Sequence, residues 1–98
     1  MLWMKCIRVK VRYLAPYIKS LIGLDEETII VGEGASVRDV IFKIAEIHGE
    51  QLLTQLLNDN GGLRESLLAL INNSVIQDIN CKIKDGDTIT FLIAINGG

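Results

Sequence analysis

The residues of this chain best suited to chemistry are the last two, Gly97 and Gly98, and the reacting group would be the terminal carboxylate. Its ordinary pKa is about 3.3–3.7, so at neutral pH it is an anion and a poor electrophile. Transfer to ATP would convert it into a reactive acyl adenylate. Residues without a Cβ can enter a narrow channel that a side chain would block, and residues 96–98 would extend roughly 10 Å. We therefore predict that a thin, flexible tail over 96–98 carries the carboxylate of Gly98 into a partner's active site.

No other group in the sequence has the neighbours that catalysis requires. The single histidine, His48, ends a predicted helix, where we expect it to face solvent and interact with the helix dipole. Cys6 and Cys81 are far apart in sequence and form no CxxC pair, so we interpret both as ordinary reduced thiols. A structural zinc site needs four ligands, and the chain has only these three Cys and His residues. The sequence thus predicts no metal site and no bound cofactor, with ATP used by the activating partner alone.

Length and charge argue against several classes of partner. With 98 residues, we expect a single domain over 1–98. The net charge of −2 argues against nucleic-acid binding, which needs a basic surplus. No stretch approaches the roughly 18 continuous apolar residues of a membrane span, and the start lacks the long apolar core of a signal peptide. We expect a cytoplasmic protein with no nucleic-acid or membrane partner.

The periodicity of apolar residues predicts the elements that must position the tail. Clean alternation over 6–13 is typical of a half-buried strand. Further strands are predicted over 27–31, 67–71, 74–76 and 88–95. Helical spacing predicts the main helix over 37–48, with Ser36 as N-cap, Asp39 completing a capping box, and Gly49 as the stop. We expect residues 17–23 to form a turn or a single helical turn, and 51–57 a second amphipathic segment.

The first and last strands in sequence are the most apolar, which favours places in the middle of the sheet. If they are neighbours there, they must run parallel, because the rest of the chain joins them. A mixed sheet of four to five strands with one main helix packed on one face is the β-grasp, or ubiquitin-like, fold of the α+β class.

The phase of the last strand predicts a partner surface. If Ile89, Phe91 and Ile93 face the helix, the alternate side chains face outward beside the basic side chains of the first strand. An apolar patch with a basic border is a plausible docking site, although Leu92 as a single scattered surface leucine is the open alternative. The residues predicted to contact a partner are Leu92, Ala94, Ile95, Asn96 and Arg8.

Four stretches of the chain resemble the MoaD/ThiS family of ubiquitin-like sulfur carriers. They are IRVKVRYLA at the start, GEGASVRDVIFKIAEIHG at the helix, ALINNSVIQ at a hairpin, and IKDGDTITFLIAINGG at the end. The turn over 84–87 together with the terminal glycines is the most specific part. The resemblance implies that an E1-like adenylyltransferase of the MoeB/ThiF type adenylates Gly98. Sulfur from a persulfide then replaces AMP, and the resulting thiocarboxylate donates its sulfur.

The resemblance leaves the sulfur acceptor open. The chain has Ile93-Ala94 where many small subunits of molybdopterin synthase have a proline pair, and Asn73 where glycine is common. The length of segment 51–66 favours that small subunit, a non-catalytic partner of a large MoaE-like catalytic subunit in molybdenum-cofactor biosynthesis. Alternatives are a sulfur carrier for tRNA thiolation or thiamine thiazole synthesis, a modifier that joins lysines through Gly98, and a β-grasp domain that only binds.

Overall fold

A mixed sheet with the first and last strands at its centre organises the chain. The computed structural model describes residues 5–94. The strands are β1 (Cys6–Tyr13), β2 (Glu26–Gly32), β3 (Leu67–Ile71), β4 (Ser74–Val75) and β5 (Thr88–Ile93). The helices are α1 (Pro16–Ile22), α2 (Val37–His48) and α3 (Gln51–Leu56). The strand order is β2-β1-β5-β3-β4, with β1 and β5 parallel and the other neighbours antiparallel. The predicted α+β β-grasp fold, with its parallel central pair, is confirmed.

The core lies between the sheet and the helices. The inward side chains of β1 are buried and the outward ones exposed, as the alternation predicts. Ile89 and Phe91 have no exposed surface; Ile93 keeps their strand phase, since it pairs with the buried Leu67, but it is 47% exposed. The pairing of β1 with β5 ends at Tyr13 and Phe91. Ile93 therefore lies beyond the part of the sheet that the core covers.

The predicted capping box begins α2. The hydroxyl of Ser36 accepts a hydrogen bond from the backbone N–H of Asp39 at 3.2 Å, and the carboxylate of Asp39 accepts one from the N–H of Ser36 at 2.8 Å. The helix ends at His48, and the N–H of Gly49 donates to the carbonyl of Ala45 at 2.8 Å. Its apolar stripe faces the sheet, so the sequence pattern and the packing agree.

The connections differ from expectation in extent. Residues 16–22 form a seven-residue helix closed by Gly23 at φ 84°, which is longer than the predicted turn or single helical turn. The predicted second amphipathic segment forms α3. β5 ends at Ile93, short of the predicted residue 95. Ile95, Asn96 and the terminal glycines lie outside the described residues, so the predicted tail does too.

The turn over 84–87 holds the start of β5 against β1. The carboxylate of Asp85 accepts a hydrogen bond from the backbone N–H of Arg8 at 2.8 Å, and the N–H of Gly86 donates to the carbonyl of Arg8 at 2.9 Å. Within the turn, the carboxylate of Asp87 accepts from the N–H of Lys84 at 2.8 Å. The two aspartates thus satisfy backbone donors at the point where β5 enters the sheet.

Candidate functional site

One face of the sheet is uncovered in the part of the chain that the structure describes. Side chains point to it from every strand, and those of β1 are all exposed. We call it the open face; by strand register it comprises Glu26, Thr28, Ile30, Cys6, Arg8, Lys10, Arg12, Thr88, Thr90, Leu92, Leu68, Leu70 and Val75. The predicted contacts Leu92 and Arg8 both lie on it.

Leucine side chains lie side by side across one end of the open face. Leu92 of β5 pairs with Leu68 of β3. The N–H of Leu14 donates to the carbonyl of Phe91 at 2.9 Å, which holds Leu14 at the end of the β1–β5 pairing, next to the residue that precedes Leu92. Leu14 is 47% exposed. The predicted Leu92 is therefore part of an apolar group rather than a scattered surface leucine.

A fourth leucine extends this group towards the edge of the sheet. The N–H of Tyr13 donates to the carbonyl of Asp25 at 2.8 Å, and Leu14 and Leu24 are each one residue away from this hydrogen bond, just beyond the β1–β2 pairing. Leu24 is 41% exposed. We call Leu24, Leu14, Leu92 and Leu68 the leucine row.

Basic residues continue the open face away from the leucine row. Arg12 lies two residues before Leu14 on β1, and the ammonium of Lys10 lies 3.3 Å from the carboxylate of Glu26. Arg8 is at the other end of the strand, roughly 20 Å from Leu14 at about 3.3 Å per residue. The pairing of β1 with β5 begins at Lys10 and Thr88, and Arg12 pairs with Thr90, two residues before Leu92. Arg12 is therefore the basic residue nearest to the leucine row. The structure does not bring Arg8 next to Leu92.

The chain leaves the described fold beside the leucine row. The N–H of Ala94, a half-buried residue, donates to the carbonyl of Ser66 at 2.9 Å and holds the end of β5 next to the start of β3. Since β1 and β5 run parallel, both finish at this end of the sheet. Any group carried by residues 95–98 starts from here, next to an apolar surface.

The expectation for His48 is wrong: its side chain is only 17% exposed and does not face solvent. Its Nε2 lies 2.7 Å from the carboxylate of Glu27, which also accepts a hydrogen bond from the hydroxyl of Tyr13 at 2.5 Å. Burial, the hydrogen bond to Glu27 and the charge of Glu27 raise the pKa of Tyr13 well above its ordinary value. Tyr13 has no exposed surface and cannot meet a substrate. We therefore assign this network to the core, where it joins β1, β2 and α2.

The cysteines do not form a reactive site. Both are free thiols; Cys6 is exposed and Cys81 is partly buried. Burial and the charge of Asp78 raise the pKa of Cys81, which disfavours the nucleophilic thiolate. Within residues 5–94 no three potential ligands are grouped to hold a metal ion. Over the same span, none of the helices has the length and apolarity needed to cross a membrane.

The sequence prediction missed most of the leucine row. Leu14 follows Tyr13 in the alternation of β1, so extending the period by one residue would have placed it on the open face. Leu68 is at an outward position of the third predicted strand. Leu24 had no local signal, because it follows α1 and Gly23 and its place depends on pairing with β1.

Comparison with known proteins connects this arrangement to a family. The profile of the ThiS family matches residues 11–98. No curated protein sequence matches the chain significantly. Among solved structures, small archaeal modifier protein 1 of H. volcanii is 17% identical with a TM-score of 0.78, covering 91% of this chain and 99% of that one. A Pyrococcus furiosus protein assigned as molybdopterin converting factor subunit 1 is 26% identical with a TM-score of 0.70, covering 91% of this chain and 99% of that one. A structure of the BexX/CysO complex of Amycolatopsis orientalis is 24% identical with a TM-score of 0.70, covering 92% and 99%.

Proposed function

The chain belongs to the ThiS family, and we propose on that premise that it is a ubiquitin-like sulfur carrier whose working group is the carboxylate of Gly98. It does not catalyse a reaction itself. It brings an activated carboxyl group, and then sulfur, to the active sites of other proteins. The terminal Gly97-Gly98 lies within the part of the chain that the family profile matches.

The proposed cycle has three steps. The carboxylate of Gly98 attacks the α-phosphate of ATP in an E1-like adenylyltransferase of the MoeB/ThiF type, which gives an acyl adenylate and releases pyrophosphate. A persulfide sulfur then attacks the acyl carbon, and AMP leaves. A thiol reduces the resulting S–S bond and releases the thiocarboxylate, which gives its sulfur to the acceptor.

The observation that carries the proposal is the leucine row beside the end of β5. An exposed apolar group is costly to leave in water and marks interaction surfaces. Here it lies beside the point from which the chain continues to Gly98, because Leu92 pairs with Leu68 and the N–H of the nearby Ala94 donates to the carbonyl of Ser66. A partner that covers this row would receive the tail at the same time. We propose Leu92, Ala94, Ile95 and Asn96 as contacts within that interface.

Molybdopterin synthesis is the acceptor pathway that we propose. Similarity to the P. furiosus molybdopterin converting factor subunit favours it, since that protein and this chain match over nearly their full lengths. The chain would then be the small subunit of molybdopterin synthase, with a MoaE-like large subunit that supplies the acid-base groups. Since ATP and reducing thiols are cytoplasmic reagents, we place the cycle in the cytoplasm.

Mass spectrometry tests the proposed cycle. The chain is incubated with ATP, an E1-like adenylyltransferase and a persulfide donor. Replacement of oxygen by sulfur should add about 16 Da. A matched control that lacks Gly97 and Gly98 should show no gain. If the intact chain also shows no gain and exchanges no pyrophosphate, the proposed cycle is wrong, and a domain that only binds is favoured.

A protein modifier is the second candidate function, favoured by likeness to the small archaeal modifier protein of H. volcanii. The same acyl adenylate would then pass to a lysine amine, which forms an isopeptide bond with Gly98. Trypsin digestion of modified targets would leave residues 85–98 attached to the lysine as a remnant, because Lys84 is the last basic residue of the chain. Such remnants without a thiocarboxylate product would favour the modifier over the sulfur carrier. Sulfur transfer to tRNA or to the thiamine thiazole is distinguished by supplying each acceptor to the purified thiocarboxylate.

A further inference from the structure

The outer edge of β2 is free in the described chain. No strand of residues 5–94 pairs with it on the side away from β1. Two hydrogen bonds extend the β1–β2 register beyond both ends of the pair. The N–H of Glu33 donates to the carbonyl of Lys5 at 2.8 Å, and the N–H of Tyr13 donates to the carbonyl of Asp25 at 2.8 Å. In an antiparallel pair the bonded residues alternate. The odd-numbered residues of β2 therefore bond to β1, and the backbone groups of Thr28 and Ile30 point to the free edge.

Two features that usually prevent pairing, a short edge strand and a proline, are absent from this edge. β2 has seven residues and contains no proline, whereas the opposite edge strand, β4, has only two residues. Ile30 in its middle is 52% exposed. A long edge strand with exposed apolar residues is a template for an added strand.

An apolar groove of about 900 Å³ lies along the same edge, between β2 and α2. The helix contributes Phe42 and Ile47, which are 46% and 52% exposed. The strand side contributes Ile30 and the partly buried Val31. We call this the β2–α2 groove. It offers free backbone groups on one wall and apolar side chains on the other.

The charges around the groove indicate what kind of chain would bind there. Three carboxylates and one ammonium line it, from Glu33, Asp39, Glu46 and Lys43. Lys43 lies 3.6 Å from Glu46, so these two charges compensate each other. The remaining carboxylates favour a cationic occupant. A second copy of this chain would bring the same negative charge to the interface and is disfavoured.

We propose that the β2–α2 groove binds an extended segment of another protein, which adds a strand to β2. Its backbone pairs with Thr28 and Ile30, its apolar side chains at alternate positions contact Phe42 and Ile47, and lysine or arginine residues at its ends meet the carboxylates. This surface is separate from the leucine row and from the proposed sulfur chemistry, so it can be tested independently of them.

Peptide titration followed by ¹⁵N NMR tests the proposal on the whole chain. The probe is a short peptide of alternating valine and threonine with lysines at both ends, and its control carries glutamates there instead. The lysine peptide should shift the amide signals of Thr28 and Ile30, slow their exchange with solvent, and bind about tenfold or more tightly than the glutamate peptide. Added salt should reduce that difference.

Three variants locate the binding site. Thr28→Pro removes a donor at the free edge, where proline is tolerated, and should weaken binding about tenfold. Phe42→Ser should weaken it by a similar factor through lost apolar contact. Leu14→Ser, at a residue of the leucine row that is as exposed as Phe42, is the control and should leave binding unchanged. The ¹⁵N spectrum of each variant verifies that it is folded. If Thr28→Pro does not fold, the comparison of Phe42→Ser with Leu14→Ser still tests whether the peptide binds in the groove.

Two results would overturn the proposal. In the first, the lysine peptide shifts the signals of the leucine row instead of those of Thr28 and Ile30, or shifts no signal at all, which leaves the groove without its occupant. In the second, the signals of Thr28 and Ile30 shift with protein concentration when no peptide is present, which identifies a second copy of the chain as the occupant.

Discussion

Removal of the two most exposed leucines of the leucine row should weaken recognition by the activating enzyme without affecting the chemistry. The perturbation is the double substitution Leu14→Ser and Leu24→Ser. Full burial of a leucine side chain contributes about 1.5–3 kcal/mol. These side chains are already buried by somewhat more than half, with 47% and 41% exposed, so docking should gain about 1 kcal/mol from each. The expected loss is about 2 kcal/mol, or roughly a 30-fold rise in KM for the carrier.

The assay is ATP–pyrophosphate exchange by an E1-like adenylyltransferase as a function of carrier concentration. Since Gly98 is unchanged, kcat should stay near that of the wild-type chain, and the whole effect should be in KM. Ile47→Ser is the matched control, because Ile47 is 52% exposed but lies on α2, away from the open face. Thermal unfolding verifies that the variants remain folded.

One outcome would refute the reasoning about this surface. If KM for the double variant is within about twofold of the wild-type value, and no higher than KM for the control Ile47→Ser, the leucine row is not the docking surface. A fall in kcat with constant KM would also contradict the reasoning, because it would show that the leucines act in the reacting complex and not in docking.

Three further perturbations have expected outcomes. The pKa of Tyr13 is raised in the folded chain, so the stability that its neutral form contributes is complete below about pH 10. Above that pH the free energy of unfolding should fall by up to about 1.4 kcal/mol per pH unit. Urea denaturation between about pH 9 and 11 should show this decline in the wild type and not in Tyr13→Phe. Asp85→Ala leaves the N–H of Arg8 without its acceptor and should lower the free energy of unfolding, measured by urea denaturation, by about 1 kcal/mol. Asp85→Asn keeps an acceptor and is the control. An equal loss of stability in both variants would contradict the assignment of this hydrogen bond. A leucine added after Gly98 should abolish the mass gain of about 16 Da; a variant that still gained it would show that a side chain at the end does not block the reaction.

The elements that depend on local pattern could be predicted from the sequence. The alternation of apolar and polar residues over β1 and the amphipathic pattern of α2 with its capping residues are local signals, and both elements formed as expected. The parallel pairing of β1 and β5 also followed, because the two most apolar strands require the most covered positions. The turn over 84–87 followed from residues that satisfy their own backbone.

Features that depend on which strands meet could not be predicted from local pattern. His48 has no neighbour in sequence that suggests burial; it is drawn inward by Glu27, which belongs to another element. α1 is stabilised by its contacts with α3 and β1 rather than by propensity alone, since a helix this short is marginal in isolation. Leu24 joins the leucine row only through the register between β1 and β2.

The order of the strands keeps the two proposed surfaces apart. β1 lies between β2 and β5, so a segment added at the outer edge of β2 would lie three strand spacings, or about 14 Å, from β5. It would cover neither Leu14 nor Leu92, which face the open side of the sheet at the end where the chain continues to Gly98. A protein held through the β2–α2 groove could therefore remain bound while the leucine row docks on an activating enzyme or on a large subunit. In this fold the placement of the last strand at the centre of the sheet, rather than at an edge, makes that separation possible.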